Sequence, residues 1–172
     1  MTPSDGVFLA ATIELAEQGR LTCAPNPPVG CIIVRGPQIL GRGYHVRTGE
    51  GHAEVNAIAD AGGDIQGATV YVSLEPCAFV GRTPACAQTL IDAQVARVVI
   101  AATDPHPQVA GAGIRMLRAA GIEVNLLTQP AALELIQGYV SRELSGKPFV
   151  RLKTASSLDG ATALASGESQ WI

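Results

Sequence analysis

The stretch HAEVNAIADAGGDIQGATVYVSLEPC, residues 52–77, holds the alternation that decides the fold. His52 to Ala61 is expected to be helical, and Gly62-Gly63 ends it, because glycine enters the left-handed backbone that closes helices at little cost. Thr69 to Leu74 is β-branched and apolar enough for a buried strand. Pro76-Cys77 then leaves that strand. A helix followed directly by a strand points to layered α/β architecture.

Working outward, Ala24-Pro25-Asn26-Pro27-Pro28 is a rigid loop, since successive prolines hold φ and remove donors. Val29 to Val34 and Ile39 to His45 form two strands joined by a turn at Arg35-Gly36-Pro37. Before them, Val7 to Glu17 is a helix with an apolar stripe, closed by Gly19. Towards the other end come a helix over Ala85–Ala93, a strand over Val95–Ala101 and a helix over Gly113–Ala120 capped by Gly121. A strand over Ile122–Leu127 and a final helix over Ala131–Leu144 complete the series. These elements predict an α/β fold, a three-layer α/β/α sandwich around a mixed, mostly parallel central sheet covered on both faces. Ser145-Gly146-Lys147-Pro148 is a plausible linker. Residues 1–145 are therefore expected to form one domain, and residues 146–172 a linker with the opening of another. Phe149 starts like a strand, but this tail is too short to fold alone.

Composition narrows the class of partner. Hydrophobic residues make up 47% and charged residues 16% of 172 residues, as in ordinary globular chains. Lys and Arg total 12 against 15 Asp and Glu, a formal charge of −3. That balance offers no broad footprint for nucleic acid or an anionic membrane, and favours a small-molecule partner. Glu14 and Glu17 interrupt the apolar positions near the N-terminus, no basic leader is present, and no apolar run reaches the ~18 residues of a membrane span. A cytoplasmic protein is expected, whose four cysteines are thiols or metal ligands rather than disulfides.

The chemistry lies in the order His52-Ala53-Glu54, Pro76-Cys77, Cys86. One imidazole and two thiolates fill three positions of tetrahedral zinc and leave the fourth for water. Thiolates are soft ligands, and helix N-termini help keep them ionised. Glu54, beside the metal without ligating it, is suited to take a water proton and deliver it to a leaving amine, the role of the glutamate in the H-x-E…P-C-x-x-C zinc base deaminases. Against this stand a His-x-Glu pair that merely opens a helix, two core cysteines, and a structural zinc site. The last needs a fourth protein ligand, for which Cys23 or His45 are the candidates.

The runs Pro25-Asn26-Pro27-Pro28-Val29-Gly30-Cys31, Gly43-Tyr44-His45, Gly51-His52-Ala53-Glu54-Val55-Asn56-Ala57, Leu74-Glu75-Pro76-Cys77, Gly81-Arg82-Thr83-Pro84-Ala85-Cys86 and Asp104 to Gly111 resemble the bifunctional riboflavin-biosynthesis deaminase/reductases, within the cytidine deaminase-like superfamily. The nine-residue step from Cys77 to Cys86 is distinctive of that family. The tail, with Lys153 and Asp159, is similar to the opening of its reductase domain. About 25 residues cannot build an NADPH site, and no Gly-x-Gly-x-x-Gly run is present.

The resemblance implies zinc at His52, Cys77 and Cys86, and Glu54 as acid–base catalyst. It implies a phosphoribosyl pyrimidine substrate, 2,5-diamino-6-(5-phosphoribosylamino)pyrimidin-4(3H)-one, hydrolysed to 5-amino-6-(5-phosphoribosylamino)uracil and ammonia. Substrate contacts carried over by position are Asn26, His45, Ala53, Arg82, Asp104 and His106, with Arg82 suited to the phosphate. A homo-oligomer, dimer or tetramer, is implied as well. Two departures stand out. Where the family usually has a small residue and then histidines after Pro76-Cys77, this chain has Ala78, Phe79 and Val80; where it usually has Asn after Asp104-Pro105, it has His106. Phe79 can stack on a ring but lacks the hydrogen bonds of a histidine. The rival readings are a deaminase of another base or nucleotide, dCMP-like or tRNA adenosine, and a non-catalytic zinc-stabilised interaction module. Glu54 discriminates against the last, which has no need of it.

Overall fold

A computed structural model of the chain describes residues 3–80, 84–107 and 109–169. Helix α1 (Pro3–Glu17) precedes a hairpin of β1 (Gly30–Arg35) and β2 (Gln38–Tyr44). Then α2 (Ala53–Asp60), β3 (Thr69–Val72), α3 (Cys86–Asp92), β4 (Arg97–Ile100), α4 (Ala112–Ala119) and β5 (Glu123–Leu126) alternate. Two helices, α5 (Pro130–Leu135) and α6 (Gln137–Ser145), close the series. The strands lie in the order β2-β1-β3-β4-β5. Pairs β3–β4 and β4–β5 are parallel, while β1 runs antiparallel to both its neighbours. Four strands thus share one direction and β1 alone opposes them.

Strand alternation sorts the core into two clusters, because successive side chains point to opposite faces. Cys31, Ile33, Val70, Val72, Val98 and Ile100 pack with Ala57 of α2, Leu90 of α3 and Leu117 of α4 on one face. Ile32, Val34, Tyr71 and Val99 pack with Leu9 of α1 and Ala132 and Ile136 around α5 on the other. Helix α1 buries Asp5, Leu9, Thr12 and Ala16, a stripe at helical spacing. Both hydrophobic faces are covered, so the three-layer sandwich read from the sequence holds. None of the described helices is long and apolar enough to cross a membrane.

Three local expectations are corrected. The final helix is two, not one: at Ile136 the backbone leaves helical values (φ −98°, ψ 13°), and the Ile136 side chain is buried in the core while α6 beyond it buries none. Among the described residues of the tail, 149–169, none forms a strand, and they are exposed almost throughout. Gly19 lies two residues beyond the end of α1 and is needed for close approach instead, since a Cβ there would sit 2.2 Å from the His45 carbonyl oxygen. Gly62 does turn left-handed (φ +76°) after α2, as the sequence led us to expect.

Candidate active site

His52 is the N-cap of α2, held in extended backbone (φ −71°, ψ 167°), and Glu54 falls in the first turn. The loop after β3 delivers Cys77, and Cys86 opens α3. The ligand atoms of His52, Cys77 and Cys86 lie within 4.8 Å of one another. His52 Nδ1 stands 3.2 Å from Cys86 Sγ and 3.7 Å from Cys77 Sγ. Tetrahedral zinc with ordinary Zn–N and Zn–S bonds separates such atoms by about 3.6 Å. The donor set and its spacing therefore fit zinc. Among the described residues no fourth Cys, His, Asp or Glu joins the group. Both proposed fourth ligands are engaged elsewhere: the Cys23 thiol donates to the Asn26 carbonyl (3.2 Å), and His45 is bonded on both ring nitrogens.

One of the two thiols, that of Cys77, is arranged to be ionised. The Cys86 amide donates to Cys77 Sγ at 3.3 Å. The Cys86 thiol, then His52 and that amide, hold Cys77 down to about 4, well below a free cysteine. Cys86 is pushed up, by its hydrogen bond to Cys77 and by burial. Glu54 is 3% exposed. Burial pushes its carboxyl above the usual glutamate value and Cys77 adds to this, with its own backbone hydrogen bond, His52 and Cys86 opposing.

His45 and Asn26 form one wall. The Gly51 carbonyl can only accept, so His45 Nδ1–H donates to it (3.1 Å), which leaves Nε2 to accept from Asn26 Nδ2 at 3.0 Å. Burial holds His45 below the ordinary imidazole value, consistent with this neutral tautomer. Asp104 lines the same cavity, buried, where its Oδ1 accepts from the His106 amide and the Tyr139 hydroxyl, both at 2.8 Å. Burial raises the Asp104 carboxyl, and these two donors work against that rise.

The two departures from the family pattern meet each other. The Phe79 and His106 rings stack with centroids 5.8 Å apart and planes at 29°, at the cavity lining. A cavity of about 460 Å³ joins His52, Glu54 and Cys77 to Asn26, His45 and Asp104. Ala53, expected to face substrate, instead points its side chain into the core and does not line this cavity, because the first position of α2 turns inward against the sheet. Arg82 lies outside the described residues.

Sequence reasoning missed four residues here. Glu75 is buried and accepts from three backbone amides, those of Asp104 (3.3 Å), Gly111 (3.0 Å) and Ile114 (3.2 Å). Its carboxylate thus ties the end of β3 to the Asp104 loop and to the start of α4. Tyr139, Arg142 and Glu143 of α6 line the cavity. Their only signal in the sequence is polar residues at i, i+3 and i+4, which reads equally as a solvated helix face.

Residues 3–102 match the family described as the cytidine and deoxycytidylate deaminase zinc-binding region. Over 170 residues, 98% of its length, the chain is 52% identical to riboflavin biosynthesis protein RibD of Haemophilus influenzae, of which it covers 45%. Among solved structures it is similar to Acinetobacter baumannii RibD (TM-score 0.88, 52% identity, 98% of this chain and 48% of that one). It is also similar to a Thermotoga maritima diaminohydroxyphosphoribosylaminopyrimidine deaminase/5-amino-6-(5-phosphoribosylamino)uracil reductase (TM-score 0.90, 39% identity, 98% and 49%). The chain spans about half the length of these relatives.

Proposed function

This chain belongs to the cytidine and deoxycytidylate deaminase zinc-binding family, and from that premise we propose that it hydrolyses the 2-amino group of 2,5-diamino-6-(5-phosphoribosylamino)pyrimidin-4(3H)-one. The observation that carries the reading is a cavity lined by His52 and Cys77 of the His52–Cys77–Cys86 group together with the buried Glu54 and Asn26, His45 and Asp104. The likeness to the Thermotoga maritima deaminase/reductase supports the substrate class.

His52 Nδ1, Cys77 Sγ and Cys86 Sγ would hold the zinc. When bound, zinc lowers the pKa of a water molecule so that the attacking oxygen is available near neutral pH. Glu54 would take one proton from the attacking water and pass it to the ring nitrogen, then carry the second water proton to the departing amine. A carbon–oxygen bond forms at the ring carbon, the carbon–nitrogen bond to the amino group breaks, and ammonia leaves with no change of oxidation state. Burial suits Glu54 to this role, since a carboxyl raised towards the working pH both accepts and releases protons readily. His45 and Asn26, locked to each other, offer a fixed polar edge, and Asp104 offers acceptors in the same cavity. The Phe79–His106 stack places an aromatic face where the family usually has histidines. Residues 146–172 are read as a linker and the opening of a second domain, supported by Gly146 closing α6 in left-handed backbone (φ +67°).

Ammonia release should be measured with zinc-loaded protein on this diaminopyrimidine, beside cytidine, dCMP and tRNA. Glu54→Gln keeps the volume and the metal group but removes the proton carrier. It should retain zinc and lose at least about 10²-fold in kcat. A smaller loss removes Glu54 from the mechanism. Turnover of only one of the other three substrates defeats the pyrimidine reading while leaving deamination standing.

A further inference from the structure

One face of α6 reaches two segments of the cavity wall, the loop at Pro25 and the loop of Asp104 and His106. Tyr139, Arg142 and Glu143 stand at i, i+3 and i+4, which sets them side by side. Tyr139 Oη donates to Asp104 Oδ1 at 2.8 Å. Arg142 donates through one terminal nitrogen to the Pro25 carbonyl at 2.6 Å, on the loop that carries Asn26. Its other two donors grip Glu143 Oε1 at 3.0 and 2.8 Å, and its guanidinium lies 5.3 Å above the Tyr139 ring. Glu143 Oε2 in turn stands 3.8 Å from His106 Nε2.

These contacts are not the by-product of a packed helix. No α6 residue is buried, and only Tyr139 and Val140 rest against the core. The helix is held to the cavity chiefly by polar groups. The partners it joins lie far apart in the chain, 35 residues from Tyr139 to Asp104 and 117 from Arg142 to Pro25. Both belong to the lining of the same cavity.

We propose that Tyr139 and Arg142 are positioning residues of the deaminase pocket. Helix α6 acts as a strap that holds the Asn26 loop and Asp104 at a set separation, so a substrate meets both at once. The inference rests on the deaminase reading above. Tyr139 acts through Asp104, and Arg142 through the loop at Pro25; neither takes part in the proton transfers. Losing either should weaken substrate binding far more than the chemical step, because Glu54 and the metal group belong to α2, α3 and the β3 loop.

The test compares Tyr139→Phe and Arg142→Ala with the wild type by ammonia release, zinc content and amide exchange. Removing one hydroxyl that bonds a carboxylate should raise KM about tenfold while kcat falls less than about threefold. In an Asp104→Ala background, Tyr139→Phe should add nothing, since a residue acting through Asp104 loses its route; Asp104→Leu, which fills the space without an acceptor, replaces that background if Asp104→Ala melts. Arg142→Ala should raise KM and also speed exchange of the Asn26 amide, which bonds the Cys23 carbonyl at 2.9 Å. Arg142→Lys, able to reach one acceptor, should recover part of both. The strap is overturned by a KM change below about twofold in both variants. An undiminished Tyr139→Phe penalty without Asp104, or unchanged exchange at Asn26 in Arg142→Ala, overturns it equally. Absence of turnover by the wild type refutes the substrate instead, and the exchange measurement then decides the strap by itself.

Discussion

Replacing Glu75 by glutamine should destabilise the protein by an amount its hydrogen bonds allow us to work out. Oε2 accepts from the amides of Asp104 and Gly111, and Oε1 from that of Ile114. A glutamine keeps the shape but has one acceptor oxygen. Its best orientation sets that oxygen at the Oε2 position and turns its NH₂ towards the Ile114 N–H, so one buried donor loses its acceptor and faces another donor. Leaving a buried donor unsatisfied costs about 1–3 kcal/mol, and the two remaining bonds lose their charge assistance, for a total of about 2–3 kcal/mol. For a chain of this size that is a fall in Tm of about 4–12 °C. Glu75→Ala strips all three acceptors and should cost clearly more. Urea unfolding of zinc-loaded protein, with the midpoint and slope fitted together, measures it. A Glu75→Gln loss under about 0.5 kcal/mol, or equal losses for the two variants, would refute the reasoning.

Cys86→Ser removes one of three donors and should weaken zinc retention by more than about 100-fold, beyond what loss of an outer-sphere partner does; metal analysis after dialysis checks this, and a fully loaded variant strikes Cys86 from the ligand set. Gly113 sits where a Cβ would fall 2.0 Å from the Pro76 carbonyl oxygen, just before Cys77. Gly113→Ala should therefore cost about 1–3 kcal/mol by overpacking and push the Cys77 loop outward, which thermal melts and zinc content will register together. An unchanged Tm would mean that the α4–Pro76 contact gives way freely.

Much of the architecture was legible in local signals. The strand at Thr69 and the helix from His52 follow from side-chain branching and from Gly62, because those preferences act within a turn or a pleat. The metal group was legible too: His52, Cys77 and Cys86 each sit at the end of a recognisable element, and layered α/β packing brings such ends together. Glu54 came with them by its spacing from His52.

What the sequence by itself determined is therefore the series of helices and strands, the donor types, and the carboxylate beside them. Tertiary structure alone decided which groups became walls. Ala53 turned into the core although it lies between two site residues, and Phe79 met His106, 27 positions further along the chain. The break at Ile136 and the reach of Arg142 to Pro25 placed a third helix face on the cavity. The physical reason is one of range. A residue's conformational preference is felt by its chain neighbours, whereas a hydrogen bond between positions 117 apart exists only after every intervening layer has packed.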